Sequence, residues 1–195
     1  AVYGPFSSIV CGPSGLFIVD GNTGVESSLT LPGASSLEGP TAALALNEGK
    51  LLVAHGEAGE VTCLEEEKPA APLLPPVGGA VRGMCVTDEE TTLLLAVGGG
   101  VMRAELDVNL KPSPPTSFLP PSAGVQGLTV DRQGNLYAAT KEGVSVFDEQ
   151  ADPILEISLP TPASGCCFGG MGEETPPSSC PSPSANRNRI PNGCA

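Results

Sequence analysis

The stretch of sequence that decides the fold is Gly127-Leu128-Thr129-Val130-Asp131-Arg132-Gln133-Gly134-Asn135-Leu136-Tyr137-Ala138-Ala139-Thr140, followed by Gly143-Val144-Ser145-Val146-Phe147-Asp148. It contains three short apolar runs rich in Val, Leu and small residues. Gly, Asn and Asp separate the runs, and these residues favour tight turns over continued strands. Runs this short predict β-strands, because a helix of ordinary length needs a longer periodic segment.

The same pattern recurs along the chain. Four leucines occupy the same place in their repeats: Leu16, Leu51, Leu93 and Leu136, spaced 35, 42 and 43 residues apart. A weaker fourth run follows each group of three; the four such runs are Leu29–Leu31, Leu73–Leu74, Phe118–Leu119 and Ile154–Ile157. Four short strands in a repeat of about 40–45 residues are typical of a propeller blade.

We therefore predict an all-β protein, a β-propeller of four to five four-stranded blades over residues 1–170. Four full blades fit before residue 164, and Ser164–Gly169 begins a fifth on the same spacing. Residues 171–195 are rich in Pro and Ser and predict an irregular, extended C-terminal tail. Gly98-Gly99-Gly100 is interpreted as a turn between strands and not as a phosphate loop, since no Lys-Ser/Thr follows it.

The composition narrows the range of partners and settings that the sequence favours. The chain of 195 residues carries 22 acidic and 9 basic residues, for a net charge of −13. That balance argues against nucleic acid as a partner, because the phosphate backbone needs a basic surface. The longest apolar run, Leu93–Met102, is shorter than the roughly 18–20 residues a membrane-spanning helix requires.

The seven cysteines divide into two groups. Three of them, Cys11, Cys63 and Cys85, lie in predicted strands and are interpreted as small buried apolar residues. Cys166, Cys167, Cys180 and Cys194 lie near the C-terminus, where a disulfide anchoring the tail is expected. The chain begins without Met, and a processed N-terminus with tail cysteines favours an organellar lumen or a secreted setting.

Several segments resemble the gluconolactonase/regucalcin (senescence marker protein) family, whose blades are similar to those of NHL-type propellers. They are Gly127–Thr140 with Gly143–Asp148, Ile157–Pro162 with Cys167–Gly170, Glu38–Pro40 leading into Lys50–Val53, and Val81–Val86 leading to Val101–Asp107. The resemblance covers roughly residues 37–170 and implies a shortened, divergent relative of six-bladed proteins. It also implies a divalent metal on the propeller axis, held by a Glu, an Asn and an Asp, that serves lactone hydrolysis.

Matched to that pattern, Glu38 keeps the Glu, Arg82 replaces the Asn and Gln126 replaces the Asp. A guanidinium cannot ligate a cation, so we expect a degraded site, with no metal or other cofactor and no catalytic residue. An ion pair between Glu38 and Arg82 in place of the metal is a hypothesis. His55, the only histidine, is interpreted as a packed or surface residue rather than a catalyst.

The sequence thus favours a non-catalytic accessory subunit of a larger protein assembly. An organellar respiratory or photosynthetic complex suits such a subunit. Because the sequence has no transmembrane segment, the subunit would associate with a membrane complex peripherally. The proline-rich segments Pro69–Pro76 and Pro112–Pro121 would supply rigid contact surfaces. Two alternatives stay open, a metal-dependent lactonase or esterase of the resembled type and a propeller that binds a small ligand.

Overall fold

The fold was analysed in a computed structural model that describes residues 7–12, 15–20, 26–28, 37, 39–46, 49–65, 68–87 and 90–168, the first three ranges by their backbone alone. The described residues form four antiparallel sheets, here called blades 1 to 4. Blade 1 consists of β1 (Ser7–Gly12), β2 (Gly15–Asp20) and β3 (Glu26–Ser28), and blade 2 of β4 (Pro40–Ala45), β5 (Leu51–His55), β6 (Glu60–Glu65) and β7 (Lys68–Leu74). Blade 3 consists of β8 (Val81–Val86), β9 (Thr92–Val97), β10 (Gly100–Glu105) and β11 (Thr116–Leu119), and blade 4 of β12 (Gly127–Val130), β13 (Leu136–Ala139), β14 (Gly143–Phe147) and β15 (Pro153–Ser158).

The blades follow one another around an axis. Within each blade the strands pair in chain order, and the first strands β1, β4, β8 and β12 contact each other in that order. This arrangement places the first strand of each blade innermost. The all-β propeller predicted from the repeat is therefore confirmed.

The core lies in the seams between blades. In β9, Leu93 and Leu95 pack into the seam with blade 2, whereas Leu94 and Ala96 pack into the seam with blade 4. Alternate residues of a strand point to opposite faces, so a strand buried on both sides must be apolar throughout. The unbroken apolar run that starts at Leu93 has this physical cause.

Aspartates define several turns between strands. Asp131 Oδ1 accepts hydrogen bonds from the backbone N–H of Gln133 and of Asn135, both at 2.9 Å. Asp107 and Asp148 accept equivalent pairs of backbone bonds in their own turns. Short acidic side chains that satisfy the backbone locally are the reason Asp recurs at these strand ends.

Of the remaining predictions about architecture, two concern residues outside the described ranges and one concerns a proline-rich segment. The fourth strand expected at Leu29–Leu31 and the tail 171–195 lie outside the described residues. Pro69 and Pro72, in a proline-rich segment expected to supply a rigid contact surface, belong to strand β7. Proline is tolerated there because β7 is the outermost strand of its sheet, with one edge free of ladder bonds. Across the described ranges, no helix has the length and apolar character needed to cross a membrane.

Candidate functional site

The start of the inner strands brings together two of the three positions matched from the sequence. Arg82 is the second residue of β8, and Gln126 directly precedes β12. A Cβ added to Gly83 would lie 3.3 Å from the Gly127 Cα, so the two strands approach closely just after these residues. A Cβ on Gly127 would in turn lie 2.7 Å from the carbonyl oxygen of Ser164. We call the region of Arg82, Gln126 and Ser164 the axial end. Arg82 and Gln126 lie at the starts of the inner strands of blades 3 and 4, and Ser164 lies in the segment that follows blade 4.

The side chains at the axial end differ in their exposure and in their hydrogen bonding. Arg82 is exposed, and its guanidinium makes no ion pair or hydrogen bond with another described residue. Gln126 is half-buried, and its Nε2 donates a hydrogen bond to the Gly124 carbonyl oxygen at 3.4 Å. That bond orients the amide and leaves its oxygen free to accept. Glu38 lies outside the described residues, so its predicted pairing with Arg82 stays a hypothesis.

The residues described at the axial end do not fit a divalent cation. Such ions need several oxygen ligands, and a guanidinium offers only donors. The Gln126 amide supplies one neutral oxygen, and the described residues contain no group of three His, Cys, Asp or Glu side chains placed to hold a metal. The loss of the ligand set, inferred from Arg82 and Gln126 in the sequence, remains a proposal that this chemistry supports.

The lone histidine is hydrogen-bonded to a neighbouring strand of its own sheet. His55 ends β5, the second strand of its blade, and its Nε2 lies 2.8 Å from the Thr62 hydroxyl oxygen on β6. Its hydrogen bond joins two strands of one sheet. Gly98 and Gly99 form the turn between β9 and β10 with φ of 58° and 87°, which agrees with the interpretation of this segment as a turn.

The cysteines near the C-terminus are only partly described. Cys166 donates from its Sγ to the Tyr137 carbonyl oxygen at 3.3 Å, and Cys167 is exposed. No disulfide joins two described cysteines. Cys180 and Cys194 lie outside the described residues, so the disulfide expected to anchor the tail stays a prediction. Cys85 is buried as expected, and burial, with Cys166 nearby, raises the pKa of its thiol.

A concavity lies between blades 3 and 4, at the end of the inner strands opposite the axial end. We call it the lateral cleft; it has a volume of about 370 Å³ and is lined by residues of β9, β10, β11 and β13 and of the turns after β8, β12 and β14. Arg103, Arg132 and Glu149 contribute its charges. Sequence reasoning missed this cleft, because its residues come from turns of two blades that no single motif connects.

Comparison with solved structures shows what the fold resembles. A gluconolactonase from Xanthomonas campestris matches with 19% identity and a TM-score of 0.67 over 83% of this chain and 62% of that one. Regucalcin, a calcium-binding protein from Agrobacterium tumefaciens, matches with 20% identity and a TM-score of 0.65 over 87% of this chain and 63% of that one. A putative gluconolactonase matches with 19% identity and a TM-score of 0.70, covering 84% of this chain and 64% of that one.

This protein has the fold of the gluconolactonase and regucalcin propellers. The chain spans less than two thirds of the length of each of these three structures. No family model matches the sequence. No curated protein matches it either. The resemblance stated from the blade motifs is thus confirmed at the level of fold.

These matches correct the functional interpretation made from the sequence. The prediction of a non-catalytic accessory subunit, and of no enzymatic activity, is wrong: several solved structures that share this fold are named gluconolactonase or regucalcin, which favours the lactonase alternative. The error came from treating three residue identities as decisive. A site that loses a cation ligand but gains a guanidinium still carries a fixed positive charge, so loss of the ligand set does not imply loss of catalysis.

Proposed function

We propose that this protein hydrolyses lactones or related esters, in the manner of a gluconolactonase, at the axial end of its propeller. The observation that carries the proposal is the fold shared with the gluconolactonase structures over 83% and 84% of this chain. In this proposal the axial end contributes the reacting groups, since Arg82 and Gln126 lie there on neighbouring inner strands. The net charge of −13 leaves nucleic acid an unsuitable substrate.

Arg82 supplies the electrostatic part of the reaction. Its guanidinium is a cation that presents several donors in a fixed plane. When water adds to a lactone carbonyl, negative charge develops on the carbonyl oxygen. A positioned cationic donor stabilises that oxyanion more than it stabilises the neutral ground state, and such stabilisation lowers the barrier.

Proton transfer is assigned to Glu38 and orientation to Gln126. Glu38 takes a proton as the water oxygen bonds to the carbonyl carbon, and returns it to the ring oxygen as the ester bond breaks. The Gln126 amide oxygen accepts a hydrogen bond from the attacking water. The product is an open hydroxy acid. No step passes through a metal, since the described residues do not fit one.

The test is hydrolysis of glucono-δ-lactone and of p-nitrophenyl acetate by the full chain near neutral pH, corrected for the spontaneous reaction. We expect activity that a chelator leaves unchanged. Arg82→Gln is expected to lower kcat/KM by about 100-fold, the effect typical of losing one oxyanion donor. Lys111→Gln, which removes an exposed cation elsewhere, is the matched control and should retain full activity.

Each result has a separate meaning. Absence of hydrolysis of both substrates above background would contradict the function itself. Hydrolysis that requires added calcium would contradict the metal-free step. Full activity in Arg82→Gln would contradict the role assigned to the guanidinium.

A further inference from the structure

The lateral cleft between blades 3 and 4 combines an apolar floor with unpaired charges. Leu94 on β9 and Leu136 on β13 line it and are 4% and 1% exposed, and the half-buried Phe118 from β11 lines it as well. The volume of about 370 Å³ lies within the usual range for small-molecule sites. Because the two leucines are almost fully covered, the open apolar surface of the cleft belongs mainly to Phe118, and an apolar side chain of a small ligand would pack there.

Two opposite charges face this cleft without neutralising each other. Arg132 lies in the turn after β12, and Glu149 in the turn after β14. Neither side chain makes an ion pair or hydrogen bond with any described residue. The Glu149 carboxylate lies against Gly134, where an added Cβ would come within 2.8 Å of Oε1. A glycine at 134 thus leaves room for this carboxylate in the wall of the cleft.

The other polar groups of the cleft have defined roles. Arg103 donates from Nε to Glu105 Oε1 at 2.7 Å and from Nη1 to the Glu149 carbonyl oxygen at 3.4 Å. Its charge is thereby compensated within blade 3. The hydroxyl oxygens of Thr87 and Thr91 lie 3.3 Å apart, so one hydroxyl donates to the other and the second keeps a free donor.

We propose that the lateral cleft binds a free α-amino acid with an apolar side chain. The ligand carboxylate pairs with the Arg132 guanidinium, which matches a carboxylate in a two-point geometry. The ligand ammonium pairs with the Glu149 carboxylate. The ligand side chain packs against Phe118. Only a ligand that carries both charges can pair with Arg132 and Glu149 at once, so the zwitterion is the class that the cleft favours.

This proposal is independent of the hydrolytic one, because the lateral cleft lies at the opposite end of the inner strands from Arg82. The test is calorimetric titration of the full chain with L-leucine, with 4-methylpentanoate, which lacks the ammonium, and with 3-methylbutylamine, which lacks the carboxylate. The wild-type chain should bind L-leucine about threefold or more tighter than either analogue, since each ion pair involves an exposed side chain and contributes at about that level.

Two charge-removing variants separate the contacts. Glu149→Gln should weaken L-leucine about threefold and leave 4-methylpentanoate unchanged. Arg132→Gln should weaken L-leucine similarly and leave 3-methylbutylamine unchanged. Glu156→Gln, at an exposed position on β15, is the control and should bind like the wild type. All three variants should unfold at the wild-type temperature, because these side chains are exposed.

The proposal fails if L-leucine gives no binding heat at millimolar concentration. It also fails if either variant weakens all three compounds equally, since that pattern would mark a general change in the cleft. Equal affinity of the wild-type chain for L-leucine and 4-methylpentanoate would show an anion site and would contradict the role of Glu149.

Discussion

At the scale of single residues, Asp131 illustrates how one side chain organises a turn and modifies a neighbour. Besides the two backbone bonds to Oδ1, its Oδ2 accepts hydrogen bonds from the Asn135 amide at 2.8 Å and from the Tyr137 hydroxyl at 3.4 Å. The Tyr137 ring also packs edge-on against Phe168, with ring centroids 5.0 Å apart. Burial raises the pKa of Tyr137, and the charge of Asp131 and its hydrogen bond raise it further.

The Tyr137 titration provides a test of this arrangement. In a Tyr3→Phe background, which leaves Tyr137 as the only tyrosine, Asp131→Asn should lower the pKa of the phenol, because it removes the carboxylate charge. The measurement is tyrosinate absorbance against pH. Asp107→Asn is the matched control, since it alters an equivalent turn without a tyrosine and should leave the titration unchanged.

The raised pKa of the Tyr137 phenol makes the free energy of unfolding depend on pH. Its pKa in the folded chain lies above the ordinary tyrosine value, so the folded state holds the proton more tightly than the unfolded state does. The stabilisation is complete below the ordinary pKa of about 10 and is lost as pH rises through the folded pKa. A free energy of unfolding that rises with pH in this alkaline range in step with Tyr137 ionisation would contradict this assignment.

At the scale of elements, strand β9 shows why the blades need each other. Five consecutive residues, Thr92–Ala96, are buried, and their side chains divide between two seams. One four-stranded sheet cannot cover both of its own faces, so each blade depends on its neighbours for burial. The free energy that holds the propeller together therefore resides in the seams.

Leu95→Ala tests the contribution of one seam. Leu95 is fully buried among residues of blades 2 and 3, and its truncation should lower the free energy of unfolding by about 2–5 kcal/mol. The control is Val108→Ala, at a side chain that is 99% exposed, which should change stability by no more than about 0.5 kcal/mol. Chemical denaturation followed by circular dichroism measures both. Equal effects of the two substitutions would contradict the location of the core.

At the scale of the whole molecule, the arrangement around the axis depends on close backbone contacts. Gly83 approaches Gly127, and Gly127 approaches the Ser164–Gly165 segment, each at the start of an inner strand. A side chain at either of these glycines would meet backbone atoms that cannot rotate away. The same repeat of small residues is visible in the sequence, but its purpose becomes clear only when three blades are placed together.

Gly127→Ala tests this packing. The added Cβ would lie 2.7 Å from the Ser164 carbonyl oxygen, so the segment must shift, at a cost of about 1–3 kcal/mol. Gly165→Ala is the matched control, because a Cβ there meets no atom within 4 Å and should change stability little. Thermal unfolding of both variants gives the comparison. An unchanged midpoint for Gly127→Ala would show that the contact between β12 and this segment is loose.

Much of the architecture was predictable because it depends on local sequence. The alternation of short apolar runs with Gly, Asn and Asp turns predicted the strands of blades 2 to 4, and their order followed from chain order. The extent of β7 was not predictable, since proline normally argues against a strand and is accepted here only at an outer edge. The lateral cleft was not predictable either, because Arg132 and Glu149 meet Phe118 only when blades 3 and 4 pack.

By itself, the sequence determined the blade pattern, the acidic charge and the presence of Arg82 and Gln126, from which the loss of a metal site is proposed. All of these are properties of residue type and spacing along the chain. Only the tertiary structure decided which residues share a seam, which end of the inner strands carries Arg82, and which charges line the lateral cleft. The physical reason is that burial and electrostatic pairing depend on distances between blades, and turns from different repeats set those distances only after the sheets have packed.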